Sequence, residues 1–204
     1  MDSADKSPLN LKDGYKSVHI TGANLSQYPI EFLMTTGNLG NKEPYELVVL
    51  AGNSLDASTD EGRARYRQKV VEFDGVIKSK GARTALIWLP AFAPTSAQGQ
   101  SDLGKKTQDM VISAGNEIGA LVIPLGAAFA EAYRRRPDLK LQVGYDNNHP
   151  TLAGQYLSAS TVYASVYNRS PVGNPYDYFG ALDADTRLFL QTVAEETVKK
   201  FFGR

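Results

Sequence analysis

The apolar positions of this chain change period several times, and those changes lay out its elements. "KSVHIT" (16–21) alternates, with Val18 and Ile20 on one face, which is the period-two pattern of a short strand. "YELVVL" (45–50), "TALIWL" (84–89) and "ALVIP" (120–124) are continuous apolar runs, the pattern of strands buried on both faces of a sheet. Elsewhere the spacing is helical. Residues 62–80 bring Tyr66, Val70, Phe73 and Ile77 to one face, and 101–118 carry Leu103, Met110, Val111, Ala114 and Ile118. A short helix holds Phe129, Ala132 and Tyr133, with Pro150 at the first position of another over 151–167 and a last one over about 184–202. Gly81 and Gly119 stand where helices end. The Gly-, Asn- and Pro-rich stretch 22–44, with "IEFLM" (30–34) embedded, reads mostly as loop.

Strands alternating with helices predict crossover units, hence an α/β fold with a parallel sheet and helices on both faces. A polar segment over 1–15 precedes one domain over 16–204. In such sheets ligands bind beyond the carboxyl ends of the strands. The loops that matter are therefore those after Ile20, Leu50, Leu89 and Ile123, and the one before Pro150.

Composition narrows the chemistry. Lys+Arg and Asp+Glu are both 22 in 204 residues, so no basic excess points to nucleic acid or an anionic membrane. The run Arg134–Arg136 closes a helix, where cations complement the dipole. There is no cysteine, hence no disulfide, thiolate metal site or Cys nucleophile. With two histidines, His19 and His149, a multi-histidine metal site is not expected, and no organic cofactor is implied. No apolar run approaches the ~20 residues of a membrane span. The first residues lack a signal-peptide core, which leaves localisation open.

"VGYDNNHPTLAGQYLSAS" (143–160) carries the clearest chemistry. Pro150 biases His149 toward extended backbone, at the entrance of a helix. Asp146, three residues earlier, can reach one imidazole nitrogen and fix its tautomer, as the acid of a hydrolytic triad does. The same residues also suit a plain Asx turn. The block "DNNHPTLAGQYLSASTVYASVYNRSP" resembles the last block of the SGNH hydrolases, or GDSL-like esterases, where D-x-x-H-P precedes a helix. "YELVVLAGNSL", "GARTALIWLPAFAP" and "NEIGALVIPLGAAFAEAYRRRPDL" extend the likeness over roughly 16–204. The resemblance implies a flavodoxin-like sheet of about five parallel strands. It also implies an ester hydrolase acting on acyl or acetyl esters, those of carbohydrates included, with Asp146 as acid and His149 as base.

The family's nucleophilic serine follows its first strand, and no such strand–serine block is expected before residue 16. "HITGANLS" aligns with the family's second block, so Gly22 matches an oxyanion donor, and "VVLAGNSL" falls at its third. Ser54 is thus a relocated nucleophile, a bystander beside oxyanion donors Gly52 and Asn53, or, with Asp56, Ser58 and Asp60, a turn and capping residue. Ser26, Ser158 and Ser160 rank below it, and His19 is expected to face solvent or a satisfied pocket. A sheet lacking a strand must close up or be completed by another chain, which makes self-association an expectation. The alternative to an esterase is a truncated, non-catalytic SGNH-like module that binds a ligand or partner.

Overall fold

The computed structural model describes residues 15–204, so all but Tyr15 of the polar segment 1–15 lies outside the described residues. The chain is α/β, with a three-stranded parallel sheet in the order β1-β2-β3, formed by β1 (Leu47–Ala51), β2 (Arg83–Ile87) and β3 (Leu121–Ile123), and flanked by helices. β1 and β2 run parallel in the register Leu47 to Arg83 through Ala51 to Ile87. The helices are α1 (Ile30–Met34), α2 (Asp60–Ser79), α3 (Leu103–Ile118), α4 (Leu125–Arg135), α5 (Leu152–Tyr167) and α6 (Ala184–Phe202).

The chain divides into two compact units. The first comprises Trp88–Gln108 and Ile123–Arg204, the second the described residues up to Ile87 together with Asp109–Val122. In the second unit α2 buries Tyr66, Val70, Phe73 and Ile77, the face its spacing predicts. Asp74, buried on the same helix, accepts a 2.8 Å hydrogen bond from Thr84 Oγ1 and so ties α2 to β2. A Cβ on Gly115 of α3 would collide with Val122, so a glycine lets the helix lie close to β3. In the first unit α5 packs along α6 and α4 against both. Ala128, Phe129 and Ala132 of α4 share a core with Leu141, Tyr156, Leu157, Leu190, Val193 and Ala194. The arginine run closes α4 with ion pairs: Arg134 and Arg135 to Glu131, Arg135 also to Glu196, and Arg136 to Asp185.

Several expectations are corrected. Residues 16–21 form no strand: they have no ladder partner among the described residues, and Val18 and Ile20 are each 39% exposed. β1 is not buried on both faces, because it is an outer strand of this sheet and Val49 is 39% exposed. The 22–44 stretch contains a 3-10 turn (Leu25–Gln27) and α1. α2 is capped by Thr59, whose hydroxyl accepts from Gly62 N–H, because Ser58 Oγ instead donates to the Leu55 carbonyl. Pro150 is not the first residue of α5: Gln142 pairs with it in an antiparallel bridge, and Thr151 caps the helix.

Candidate functional site

The Asp146–His149 loop begins with anchors on both sides. Gln142 Nε2 donates to the Ala91 carbonyl (2.6 Å), and Tyr133 Oη donates to Gln142 Oε1 (2.9 Å). Thr151 N–H donates to Leu141 O (2.9 Å), and Gly154 follows because a Cβ there would strike the Leu141 carbonyl. The loop is closed by Val143 N–H donating to His149 O (2.9 Å) and Asn147 N–H donating to Val143 O (2.9 Å). Asn147 has φ 57°, a left-handed turn that asparagine tolerates well. Ala93 N–H, from the segment after β2, donates to Asn147 O at 2.7 Å.

Within this frame Asp146 uses both carboxylate oxygens. Oδ1 accepts from Asn148 N–H (2.9 Å) and His149 N–H (3.1 Å), an Asx turn. Oδ2 lies 2.5 Å from His149 Nδ1. The Asx turn and the acid–imidazole pair are therefore one construction. The Asn148 N–H, followed by the His149 ring and N–H, holds the Asp146 carboxyl below its usual range. A carboxylate at that distance fixes the proton on Nδ1, so Nδ1–H donates to Asp146 and the Nε2 lone pair is the basic site. The His149 side chain is 71% exposed.

The other predicted residues lie in the second unit. β1 ends at Ala51 and runs into Gly52, Asn53 and half-buried Ser54, then a 3-10 turn (Asp56–Ser58) leading to α2. Gly52 is required by packing, since a Cβ there would lie 2.8 Å from the Tyr66 ring and 3.0 Å from Asp56 Oδ2. Asn53 N–H donates to Asp56 Oδ2 at 2.7 Å, and Asn53 Oδ1 accepts from Leu55 N–H at 3.0 Å. Asn53 Nδ2 donates to Gly22 O at 3.1 Å, so Gly22, Gly52, Asn53 and Ser54 share one loop cluster. The Asn53 backbone N–H is thereby committed to Asp56 within the loop. Asp56, buried, anchors this loop as the turn residue it was expected to be, while the cap of α2 is Thr59. Of the lesser candidates, Ser26 Oγ donates to Asn24 Oδ1 (2.5 Å), Ser158 Oγ to Gly154 O (2.9 Å), and His19 is exposed.

Among the described residues no group of three or more His, Asp or Glu side chains could hold a metal ion, and no helix is long and apolar enough to cross a membrane.

No protein-family model matches the chain, and no curated protein matches it. Two solved structures do. One is a DUF4886 family protein from Bacteroides uniformis ATCC 8492, at 19% identity and TM-score 0.64 over 77% of this chain; the match spans 63% of that protein's length. The other, from Slackia heliotrinireducens, is provisionally assigned as an SGNH hydrolase and matches at 22% identity and TM-score 0.53, over 61% of this chain and 67% of that one. At such identities the likeness concerns the fold alone: an α/β architecture, with three parallel strands among the described residues, consistent with a flavodoxin-like fold.

Proposed function

We propose that the protein is an SGNH-type serine ester hydrolase acting on acyl or acetyl esters, with His149 as general base and Asp146 as its positioning residue. The observation that carries this is the 2.5 Å contact between Asp146 Oδ2 and His149 Nδ1, with the imidazole presented to solvent. In this reading Nε2 takes the proton of the attacking hydroxyl and returns it to the leaving alcohol, while Asp146 stabilises the transient imidazolium. Ser54 is the candidate nucleophile by its G-x-S-L pattern, and Gly22 and Gly52 are the candidate oxyanion donors. The chemistry needs no metal or organic cofactor.

The test is hydrolysis of a short-chain aryl ester by wild type, His149→Ala and Ser54→Ala. His149→Ala should lower kcat by at least about 10³-fold, and Ser54→Ala by a similar factor. Activity that survives Ser54→Ala but not His149→Ala removes Ser54 and keeps the hydrolase. Full activity in His149→Ala removes the proposal.

A second reading is a non-catalytic SGNH-like module. What favours it is that no strand precedes β1 among the described residues, which also leaves the outer edge of β1 as a place for self-association. Labelling of any serine by a fluorophosphonate probe would argue against it.

A further inference from the structure

The loop between α5 and α6 carries the most unusual backbone among the described residues. Tyr178, Phe179 and Gly180 have φ values of 58°, 60° and 82°, three successive residues in or near the left-handed region. That conformation is common for glycine and tolerable for asparagine, but two adjacent aromatic residues adopt it against their own sterics. Folding alone would favour Gly or Asn at both places. The side chains held there are exposed, Phe179 at 91% and Tyr178 at 47%. Their rings and that of Tyr176 form a mutual edge-on cluster, every centroid pair 6.0 Å apart.

The base of the loop is rigid. Gln191, 2% exposed, donates to the Asn174 carbonyl and to Tyr156 Oη (both 2.8 Å), and its Oε1 accepts from Gly173 N–H (3.1 Å). Tyr156 Oη in turn donates to the Tyr176 carbonyl (3.0 Å). At the tip Asp177 Oδ1 accepts from Gly180 N–H (2.9 Å), and Asp177 O accepts from Leu182 N–H (3.0 Å), with Leu182 buried in the core. A strained backbone on a rigid base that keeps aromatic rings in water is the signature of a preorganised contact surface.

The surroundings narrow the occupant. Asp177, between Tyr176 and Tyr178 in the chain, has its carboxylate 3.9 Å from the guanidinium of Arg187, which also donates to the Pro175 carbonyl (3.0 Å). A lipid or an apolar protein face would desolvate that pair without replacing its hydrogen bonds. A nucleic acid would bring phosphates toward the Asp177 carboxylate. A quaternary ammonium needs a hollow cage, whereas these rings pack edge-on against one another. A sugar ring fits all three features: its C–H face lies on an aromatic face, and its equatorial hydroxyls meet a carboxylate and a guanidinium. We infer that the Tyr176–Tyr178–Phe179 loop is a carbohydrate-docking platform that binds neutral saccharide chains through Phe179 and Tyr178. The platform does not depend on the hydrolase reading, because docking involves no bond cleavage.

The test is native gel electrophoresis of the full chain through gels containing soluble xylan, β-glucan, galactomannan or starch, against gels without polysaccharide. Wild type should be retarded in at least one. The variants are Phe179→Gly and the double change Tyr178→Gly/Phe179→Gly, both suited to left-handed backbone, so their thermal midpoints should hold or rise. The double variant should lose the retardation, at least about tenfold in apparent affinity, an expectation based on truncating aromatic anchors. No retardation of wild type in any gel, or equal retardation of the variants, overturns the platform. So does ring-dependent binding to phosphatidylcholine vesicles, choline or a thymidine oligonucleotide with none to polysaccharide. Because no ester is hydrolysed in these gels, loss of docking and loss of the hydrolase are read separately.

Discussion

Two loops of this chain are each organised by one aspartate, one in each unit, and they put it to different uses. Asp56 is buried, and its carboxylate accepts from the Asn53 backbone N–H with Arg65 at 3.4 Å. Everything it holds belongs to the loop or to α2. Asp146 also spends one oxygen on backbone N–H groups, those of Asn148 and His149, but its other oxygen ends on an exposed imidazole. An aspartate that accepts only from backbone and a guanidinium makes structure. One that divides itself between backbone and an exposed ring is built, in the proposed reading, to orient a base. "AGNSLD" and "DNNH" both looked like chemistry in the sequence; the second oxygen of each aspartate separates them.

The comparison breaks if the two aspartates respond alike. In Asp146→Asn the amide oxygen can still accept from Asn148 and His149, so the loop should hold. Nothing would then stabilise the imidazolium, and ester turnover should fall by about 10²–10⁴-fold with the thermal midpoint nearly unchanged. Asp56→Ala should do the reverse. The Asn53 N–H loses its acceptor in a half-buried place, a loss of about 1–3 kcal/mol, or roughly 2–10 °C in Tm for a chain of this size. Aryl-ester kinetics and thermal melts on both variants decide it. A folded Asp56→Ala protein with turnover as low as that of Asp146→Asn would give Asp56 itself a part in turnover, beyond holding the loop that carries Ser54.

What the sequence made legible follows the range of the forces involved. Helices came through because their period is local and glycine marks their ends: Gly81 (φ 79°) and Gly119 (φ 67°) do follow α2 and α3. The Asp146–His149 pair came through because three residues in a turn decide it. Residues 16–21 did not, since alternation suits a pleat but only a neighbouring strand makes it part of a sheet. The exposure of Val49 was hidden for the same reason: an apolar run does not say whether its sheet continues. The left-handed turn at Tyr178 and Phe179 was illegible because neither is a residue that signals it.

Glycine substitution sharpens the contrast at a smaller scale. A methyl group on Gly154 would meet the Leu141 carbonyl, backbone already held by Thr151 N–H, and Pro150 Cβ at 3.0 Å. Gly154→Ala should therefore destabilise by about 3 kcal/mol, the upper part of the overpacking range, and it should lower turnover because Pro150 adjoins His149. A methyl group on Gly52 meets the Tyr66 ring at 2.8 Å. Gly52→Ala should destabilise by about 1–2 kcal/mol. Denaturant melts and ester kinetics on the two variants place them side by side. A turnover loss in Gly52→Ala beyond its share of stability would favour Gly52 as an oxyanion donor, and full turnover in Gly154→Ala would detach the Pro150 side of the Asp146 loop from activity.

A third carboxylate tests whether the partner decides the role. Hydrogen bonds from Arg134 and then Arg135 lower the Glu131 carboxyl to about 2, and its partners are guanidiniums alone. Because the folded value lies below the ordinary value of 4.5, the unfolded chain binds the proton first as pH falls. The stabilisation is therefore complete above about pH 5 and is lost as pH drops from there toward 2. Glu131→Gln removes that dependence. Its Tm should lie below that of wild type at pH 7, by about 1–3 °C given the screening of a partly exposed pair, and the two curves should converge near pH 2. Ester turnover at pH 7 should be unaltered, since none of the groups around Glu131 touches the imidazole. Convergence without a change in turnover would set Glu131 with Asp56, among the carboxylates that hold structure. A turnover loss matching that of Asp146→Asn would show that the partner of a carboxylate does not predict its use in this chain.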